Sequence, residues 1–393
     1  MASLTLFFAP ISLTFNFPTF EFPMNISPNL AKSTASTLRA GDLSQFSSLL
    51  GFDGFIDTIC DVVDTREDAD NYRRVATLQA FGERIAGAAG QSTNIEIMPT
   101  LVKLGGNGPI MANALTSLGV PVIYCGMTGF PNAHPVFQDF GTRAKLLPIC
   151  EPALTDAYEF DDGKLMVGKH ATVAEVSHAN ILQRIGEPEW RTAWEGAQFV
   201  AMVNWTMLPH MTALWQQIQR EFPTSSARKI LFFDLADPEK RSSEDIFEAL
   251  QTIAAFQKSH DVILGLNEKE AIHVAQVLHL ETPPGGVLTP DTAPELAAAI
   301  RARLELGVVV VHPTRFAAAA SALHAASVPG PWIASPKIST GAGDHFNAGF
   351  CLGQLLGASL QESLQIGVGT SGFYVRSAQS PSRDDLAEFL ESF

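Results

Sequence analysis

Read for its hydrophobic and polar positions, the chain alternates between two periods. Short, almost continuously apolar runs recur at Val120–Cys125 (VPVIYC), Phe199–Asn204 (FVAMVN), Ile230–Asp234 (ILFFD), Asp261–Leu266 (DVILGL) and Val308–His312 (VVVVH). A strand covered on both faces has no solvent side, so these runs predict strands buried in a parallel sheet. Helical patterns lie between them. Ala69–Ala89 carries Tyr72, Val75, Leu78, Phe81 and Ile85 at helical spacing. Pro109–Leu118 has a proline in its first turn and stops at Gly119. Ser242–Ser259 opens with a serine and an aspartate three residues on, a capping-box pattern that Ser359 with Glu362 and Ser382 with Asp385 repeat. The alternation of β and α predicts a doubly wound α/β domain with a mostly parallel sheet.

A second pattern interrupts the first. Tyr158–Gly168 (YEFDDGKLMVG) reads as a hairpin turning at Asp162-Gly163, and Gly54–Val63 and Ile95–Leu104 read as strands with some polar alternation. Strands at about 54–63, 95–104 and 158–168 predict a small β-sheet lid over the mouth of the main sheet. With no internal repeat and no Pro/Gly/Ser-rich linker, residues 41–393 read as one domain with its lid. Residues 1–40 read as a poorly ordered extension. They are rich in Phe, Ser, Thr and Pro, Lys32 is their first basic residue, and Pro10 breaks the apolar run a secretory signal would need. Met24 is a second candidate start.

Composition narrows the function classes. Hydrophobic residues make up 46% of the chain and charged ones 17%, enough apolar material for a large core. The net charge of −15 and the lack of a basic block argue against nucleic-acid binding. They do not argue against a phosphorylated ligand, because backbone N–H groups can build a local anion site. No apolar run approaches the ~20 residues that span a bilayer. Cys60, Cys125, Cys150 and Cys351 form no CxxC pair, so they read as reduced thiols of a cytoplasmic protein. His134 and His170 have no partner at metal-ligand spacing, and Trp205 and His210 read as packing.

The chemistry concentrates in Ile338–Phe350, ISTGAGDHFNAGF. A β-type run (Trp332–Ser335) leads into a Ser/Thr pair, then Gly341, Ala342, Gly343 and Asp344, then a helix. Small residues at a helix start leave N–H groups uncovered, and the helix dipole adds positive charge there. That is a cradle for a transferring phosphoryl group, and an aspartate just beyond it can take the proton from an attacking hydroxyl. Taken alone, Asp344 is equally a residue that complements the helix dipole. Asn267 and Glu270 at the end of Asp261–Leu266 are placed to organise waters around Mg²⁺, or are simply a helix cap. Leu104–Ala112 (LGGNGPIMA) sets Gly105, Gly106 and Asn107 before a helix, for close approach to a ligand or for a tight turn. Gly51–Asp57 (GFDGFID) supplies Asp53 and Asp57, which either grip sugar hydroxyls or sit in a solvated loop.

In this order and spacing the four motifs resemble the ribokinase-like (PfkB) kinase family, from about Leu50 to the C-terminus. The resemblance implies a carbohydrate or nucleoside kinase using ATP and Mg²⁺, with a closing β lid and a monovalent cation such as K⁺ near the anion hole. It implies Asp344 as catalytic base and Gly341, Ala342 and Gly343 as the anion hole. It also implies Asn267 and Glu270 as the magnesium-organising pair, and Asp57, Gly105 and Gly106 as sugar contacts. The family's GGxxxNxA pattern would put Asn at position 110, where this chain has Ile110, so Asn107 is the candidate to replace that contact. Ile338 stands where the family often has an acid. His312–Arg315 (HPTR) replaces its glycine-bearing turn, and Arg315 there is either a phosphate contact or a surface residue. GFDGFID and GGNGPIMAN also resemble the ADP-dependent branch, so ADP stays open as donor. The competing reading is a non-catalytic sugar or nucleoside sensor, against which the intact Asp344, Gly343 and Asn267/Glu270 set speaks. A dehydrogenase would want GxGxxG after the first strand, which GFDGFID lacks. The acceptor and the oligomeric state are left open, with pairing of exposed lid strands in a homodimer as one option.

Overall fold

The computed structural model describes residues 28–223 and 228–392. Its main sheet has nine strands. In chain order these are β1 (Ser48–Gly51), β5 (Val122–Gly126), β6 (Ala144–Pro148), β9 (Phe199–Met202), β10 (Ile230–Asp234), β11 (Asp261–Leu266), β12 (Val308–Val311), β13 (Phe316–Ser321) and β14 (Ala325–Pro329). The spatial order is β14-β13-β12-β11-β10-β9-β1-β5-β6, parallel from β12 to β6 with an antiparallel hairpin, β13–β14, at one edge. All five apolar runs therefore lie in the sheet. Their side chains alternate between two cores: Leu49, Val200, Leu231, Phe233, Val262 and Leu264 face one layer of helices, and Leu50, Phe199, Ala201, Phe232, Ile263 and Val310 face the other. Burial on both faces is why no polar position breaks these runs.

The smaller sheet is built from β2 (Phe55–Arg66), β3 (Tyr72–Arg74), β4 (Ile97–Gly105), β7 (Ala153–Phe160) and β8 (Gly163–Lys169), with β2 at its centre. The three segments expected to form a small sheet all lie in it. The hairpin turns at Asp161-Asp162, one residue before the expected pair, and Gly163 already pairs with Phe160. The pattern at 69–89 is not one helix. Tyr72–Arg74 pairs with β2 and the Val75 N–H bonds the Val62 carbonyl, so the helix begins only at Leu78, capped by the Thr77 hydroxyl. Val75 and Phe81 share a small lid core with Val62 and Phe160, an apolar repeat met by two elements instead of one.

Trp332–Ser335 is not a strand. Pro331 and Pro336 bracket it and remove the donors a ladder needs, and the chain runs as a loop toward the helix Ala342–Leu355. Pro28–Ala40 is a helix, not part of a poorly ordered extension. Ala31, Thr34, Ala35 and Leu38 are buried, and the Thr34 hydroxyl donates to the Gln365 side chain at 2.6 Å. The rest of that expected extension, residues 1–27, lies outside the described residues. All four cysteines are buried free thiols. Among the described residues no helix is long and apolar enough to cross a membrane.

Candidate active site

The candidate residues gather where strands of the parallel sheet end, the position in which doubly wound folds hold ligands. The helix Ala342–Leu355 starts from Gly341, whose φ of 90° a residue with a Cβ would strain to adopt. The N–H groups of Gly341 and Gly343 find no acceptor among the described residues, while that of Ala342 donates to the Ser339 carbonyl at 3.2 Å. Two of the three expected anion-hole donors thus stand open and the third is engaged. Asp344 follows, only 7% exposed, and its Oδ1 accepts a 2.9 Å hydrogen bond from Asn107 Nδ2. Burial pushes the Asp344 carboxyl up to about 8; the Asn107 bond opposes that shift, and the carboxylates of Asp53 and Glu270 add to it.

Asp57 sits on the lid strand β2, buried, and accepts no hydrogen bond from any described residue. Burial raises its pKa, with Lys103 and Lys164 pulling it back. Gly105, paired across the ladder from β2, lies against it: a Cβ at that position would stand 2.4 Å from the Asp57 carboxyl carbon. Tyr374 donates its hydroxyl to the Thr340 carbonyl at 3.0 Å, and its pKa is raised to about 12 chiefly by burial, with the charges of Asp344 and Asp57 adding to it. Asp53 is placed differently from the expectation of a sugar contact. It has no exposed surface and accepts bonds from the backbone N–H groups of Asn107 and Gly108, from Asn204 Nδ2 and from the Tyr124 hydroxyl. Its carboxyl, pushed up to about 6 chiefly by burial, is saturated beneath the site and holds the start of the helix Asn107–Ser117. Ile110, at the family's Asn position, packs toward Gly341.

Asn267 and Glu270 form a full capping box: Asn267 Oδ1 accepts from the Glu270 N–H and Glu270 Oε2 from the Asn267 N–H. The other oxygen of Glu270 accepts from the Asp237 N–H at 2.9 Å. Burial raises the Glu270 pKa, and Asp234, buried at the end of β10, is raised well above the ordinary range by burial and by Glu270 and Asp344. Among the described residues no group of three or more His, Cys, Asp and Glu side chains is arranged to hold a metal.

Several residues of this arrangement carried no sequence signal. Asp234 and Asn347, whose Nδ2 donates to Asp234 Oδ2 at 2.8 Å, are among them, with Tyr124, Asn204 and Tyr374; all sit in runs that read as core or as helix face. His345, which follows Asp344, stacks on Tyr374 at 3.6 Å, and its ring nitrogens meet the Gly341 carbonyl and the Ser380 hydroxyl. Burial holds its pKa down at about 4, so the neutral ring fixes the anion-hole turn instead of carrying protons. Two cavities meet at this turn, with Ser339 in the wall of both. One, of about 400 Å³, is lined by Asn267, Trp332, Ala342, Gly343 and Phe346. The other, of about 1240 Å³, runs under the lid past Leu101, Lys103, Ile110 and Tyr374.

Comparison with known proteins gives this geometry a context. A family model described as prokaryotic ketohexokinase matches residues 34–393. A ketohexokinase of Haloferax volcanii is 30% identical over 349 residues, covering 88% of this chain and 91% of that protein. Among solved structures, a Methanocaldococcus jannaschii nucleoside kinase of the ribokinase family superposes with a TM-score of 0.57 at 15% identity, covering 90% of this chain and all of that one. Arabidopsis thaliana ribokinase, complexed with ribose and ATP, gives 0.58 at 14% identity, covering 88% and 98%. The structural neighbours share the fold, a large mostly parallel sheet with a smaller one beside it, and the matched sequences carry the family: this chain belongs to the prokaryotic ketohexokinases, carbohydrate kinases of the ribokinase-like class.

Proposed function

We propose that this protein transfers the γ-phosphate of ATP to a hydroxyl of a ketohexose, with Asp344 as the base. The observation that carries the reading is the start of the helix Ala342–Leu355. There a buried carboxylate, held by Asn107, stands one residue beyond two unclaimed backbone N–H groups, between Gly343 in the wall of the smaller cavity and His345 in the wall of the larger. The acceptor binds at the inner end of the larger cavity, past its wall residues Lys103, Leu104 and Ile110; there Asp57, paired across the ladder with Lys103 and packed against Gly105, has open acceptor capacity for sugar hydroxyls, with Gly106 and Asn107 next in the chain. The name of the Haloferax relative supports a ketohexose there. The smaller cavity takes the nucleotide, and a resident of the same fold, the Arabidopsis ribokinase, is described with ATP.

Asp344 accepts the proton of the attacking hydroxyl, and the amides of Gly341 and Gly343 draw charge from the moving phosphoryl group. The Ala342 amide joins them once it lets go of the Ser339 carbonyl. Mg²⁺, when bound with the nucleotide, supplies the positive charge that neutralises its phosphates. Asn267, in the wall of the smaller cavity, and Glu270, its capping-box partner, are the candidates to order the water shell of such an ion. Closure of the lid sheet over the cleft keeps water from competing with the sugar.

The test is a nucleotide-consumption screen of the purified protein against ketohexoses, aldoses, pentoses and nucleosides, with ATP and with ADP, in K⁺ and in Na⁺. Ketohexose-dependent turnover of ATP that disappears in Asp344→Asn is the expected result. Turnover only with ADP, or no acceptor-dependent turnover at all, would reject the reading.

A further inference from the structure

Of the five tryptophans, Trp190, Trp194, Trp205 and Trp215 are wholly buried, while Trp332 is 50% exposed. Half-exposing so large an apolar ring is costly, and Trp332 does it in the wall of the 400 Å³ cavity, which also includes the anion-hole residues Ala342 and Gly343. The loop that carries it is tied down: the Trp332 backbone carbonyl accepts from Arg376 Nη2 at 3.2 Å and its backbone N–H donates to the Gly330 carbonyl at 2.8 Å. A few residues on, the Lys337 N–H bonds the Val375 carbonyl, so both ends of the loop are tied to the helix Leu360–Ser377. Arg315 places its guanidinium 4.5 Å from the centre of the ring, and Gly330 N–H bonds the Arg315 carbonyl at 2.8 Å. Arg315 itself is not part of the cavity wall. One side of the indole is therefore braced from behind.

The remaining walls are mostly apolar: Pro313, Phe316, Pro331, Ile333 and Val368, with few groups able to read the edge of a base. A flat, apolar, fixed surface of this kind recognises a flat π system by stacking, and a cation behind the ring strengthens the ring's hold on its own position. We infer that Trp332, braced by Arg315, is the platform on which the purine base of the nucleotide donor stacks. The inference rests on the reading of the smaller cavity as the donor site. It also gives a use to the HPTR segment, which replaces a glycine-bearing turn and brings Arg315 to Trp332.

Because Trp332 is the one exposed tryptophan, collisional quenching of fluorescence by acrylamide reports on it directly. Saturating ATP should shield the exposed component in the full-length wild-type protein, and Trp332→Phe should lack that component with or without ATP. Trp332→Ala should raise the KM for ATP roughly 5- to 150-fold, the range that loss of one base–aromatic stack gives, with kcat and the sugar KM nearly unchanged. Trp332→Phe, which keeps a stacking face, should recover most of that loss. Arg315→Ala should raise the KM for ATP roughly 2- to 5-fold. Unaltered quenching on ATP binding, or an unchanged ATP KM in Trp332→Ala, in a protein that phosphorylates its sugar with ATP would overturn the platform and leave the kinase reading standing. If calorimetry finds no ATP binding and no turnover occurs, both fall together.

Discussion

Asp344 has to be a carboxylate when the acceptor hydroxyl arrives, yet its surroundings favour the acid. Burial and the nearby acids lift its pKa to about 8, and the bonds from Asn107 and from its own backbone N–H only moderate that. The value of kcat/KM reports the free enzyme, so it should climb with pH and level off above about 8. Asn107→Ala removes the one side-chain donor to the carboxylate, and the midpoint of the pH–rate profile should move to higher pH. A profile that is flat through this range, or a variant midpoint at lower pH, would contradict the role given to Asp344. Asp344→Asn should lower kcat by roughly 10²–10⁴. The same raised pKa also has a cost in stability. A buried acid whose pKa rises on folding contributes fully below its ordinary value of 3.8, and that contribution is lost as pH climbs toward about 8. Asp344→Asn escapes the loss. Thermal melts at a series of pH values should therefore show the variant gaining on wild type as pH rises through that window, an inactive protein that is the more stable one.

At the scale of elements, the site depends on how three helices begin. The helix Glu268–Val277 begins with a capping box that uses the side chains of Asn267 and Glu270, so the structural and the proposed functional reading of that pair are compatible in one place. The helix Asn107–Ser117 has no side-chain cap of its own; Asp53, over fifty positions earlier, takes its first N–H groups. Asp53→Ala would strand three donors in a buried space, the N–H groups of Asn107 and Gly108 and the Asn204 amide, while the Tyr124 hydroxyl keeps its 2.6 Å bond to the Asp53 carbonyl, and should destabilise the fold by about 3–5 kcal/mol in urea unfolding. Asp53→Asn keeps one acceptor oxygen and should cost less. Equal losses for the two would mean that volume, not hydrogen bonding, decides there. This long-range cap also explains what the sequence allowed to be read. GAGD and N-x-x-E are local, within a few residues of the groups they serve, and the structure keeps each where its spacing places it. Asp53 reads as a ligand contact in the sequence because its four partners come from β4's end, β5 and the segment after β9, and no local pattern records that meeting.

For the whole molecule, the strands were legible because both faces of each are buried, and few elements other than a doubly covered strand need so short and unbroken an apolar run. The order of the nine strands had no such trace, nor did the membership of Pro28–Ala40. That segment has little hydrophobicity of its own: its buried side is two alanines, a threonine and one leucine, small residues that let a helix approach closely. Its worth lies in what it covers, the C-terminal helices Leu360–Ser377 and Arg383–Glu391, whose Leu364, Leu386 and Leu390 share a core with Ala35 and Leu38. The Thr34–Gln365 bond and the Arg39–Glu391 pair lock the register of that packing. Burial of Leu38 and two alanine methyls contributes about 4 kcal/mol by area, before counting the leucines newly exposed on the other side. A chain begun at Gly41 should thus unfold at markedly lower urea than one retaining Pro28–Ala40. Since Leu360–Ser377 also carries Tyr374, whose hydroxyl holds the Thr340 carbonyl beside the anion hole, the shortened chain should lose turnover before it loses its fold. Equal midpoints and equal turnover in the two chains would place this helix outside the cooperative unit. Equal turnover with a lowered midpoint would cut the proposed link from the N-terminal helix to the site.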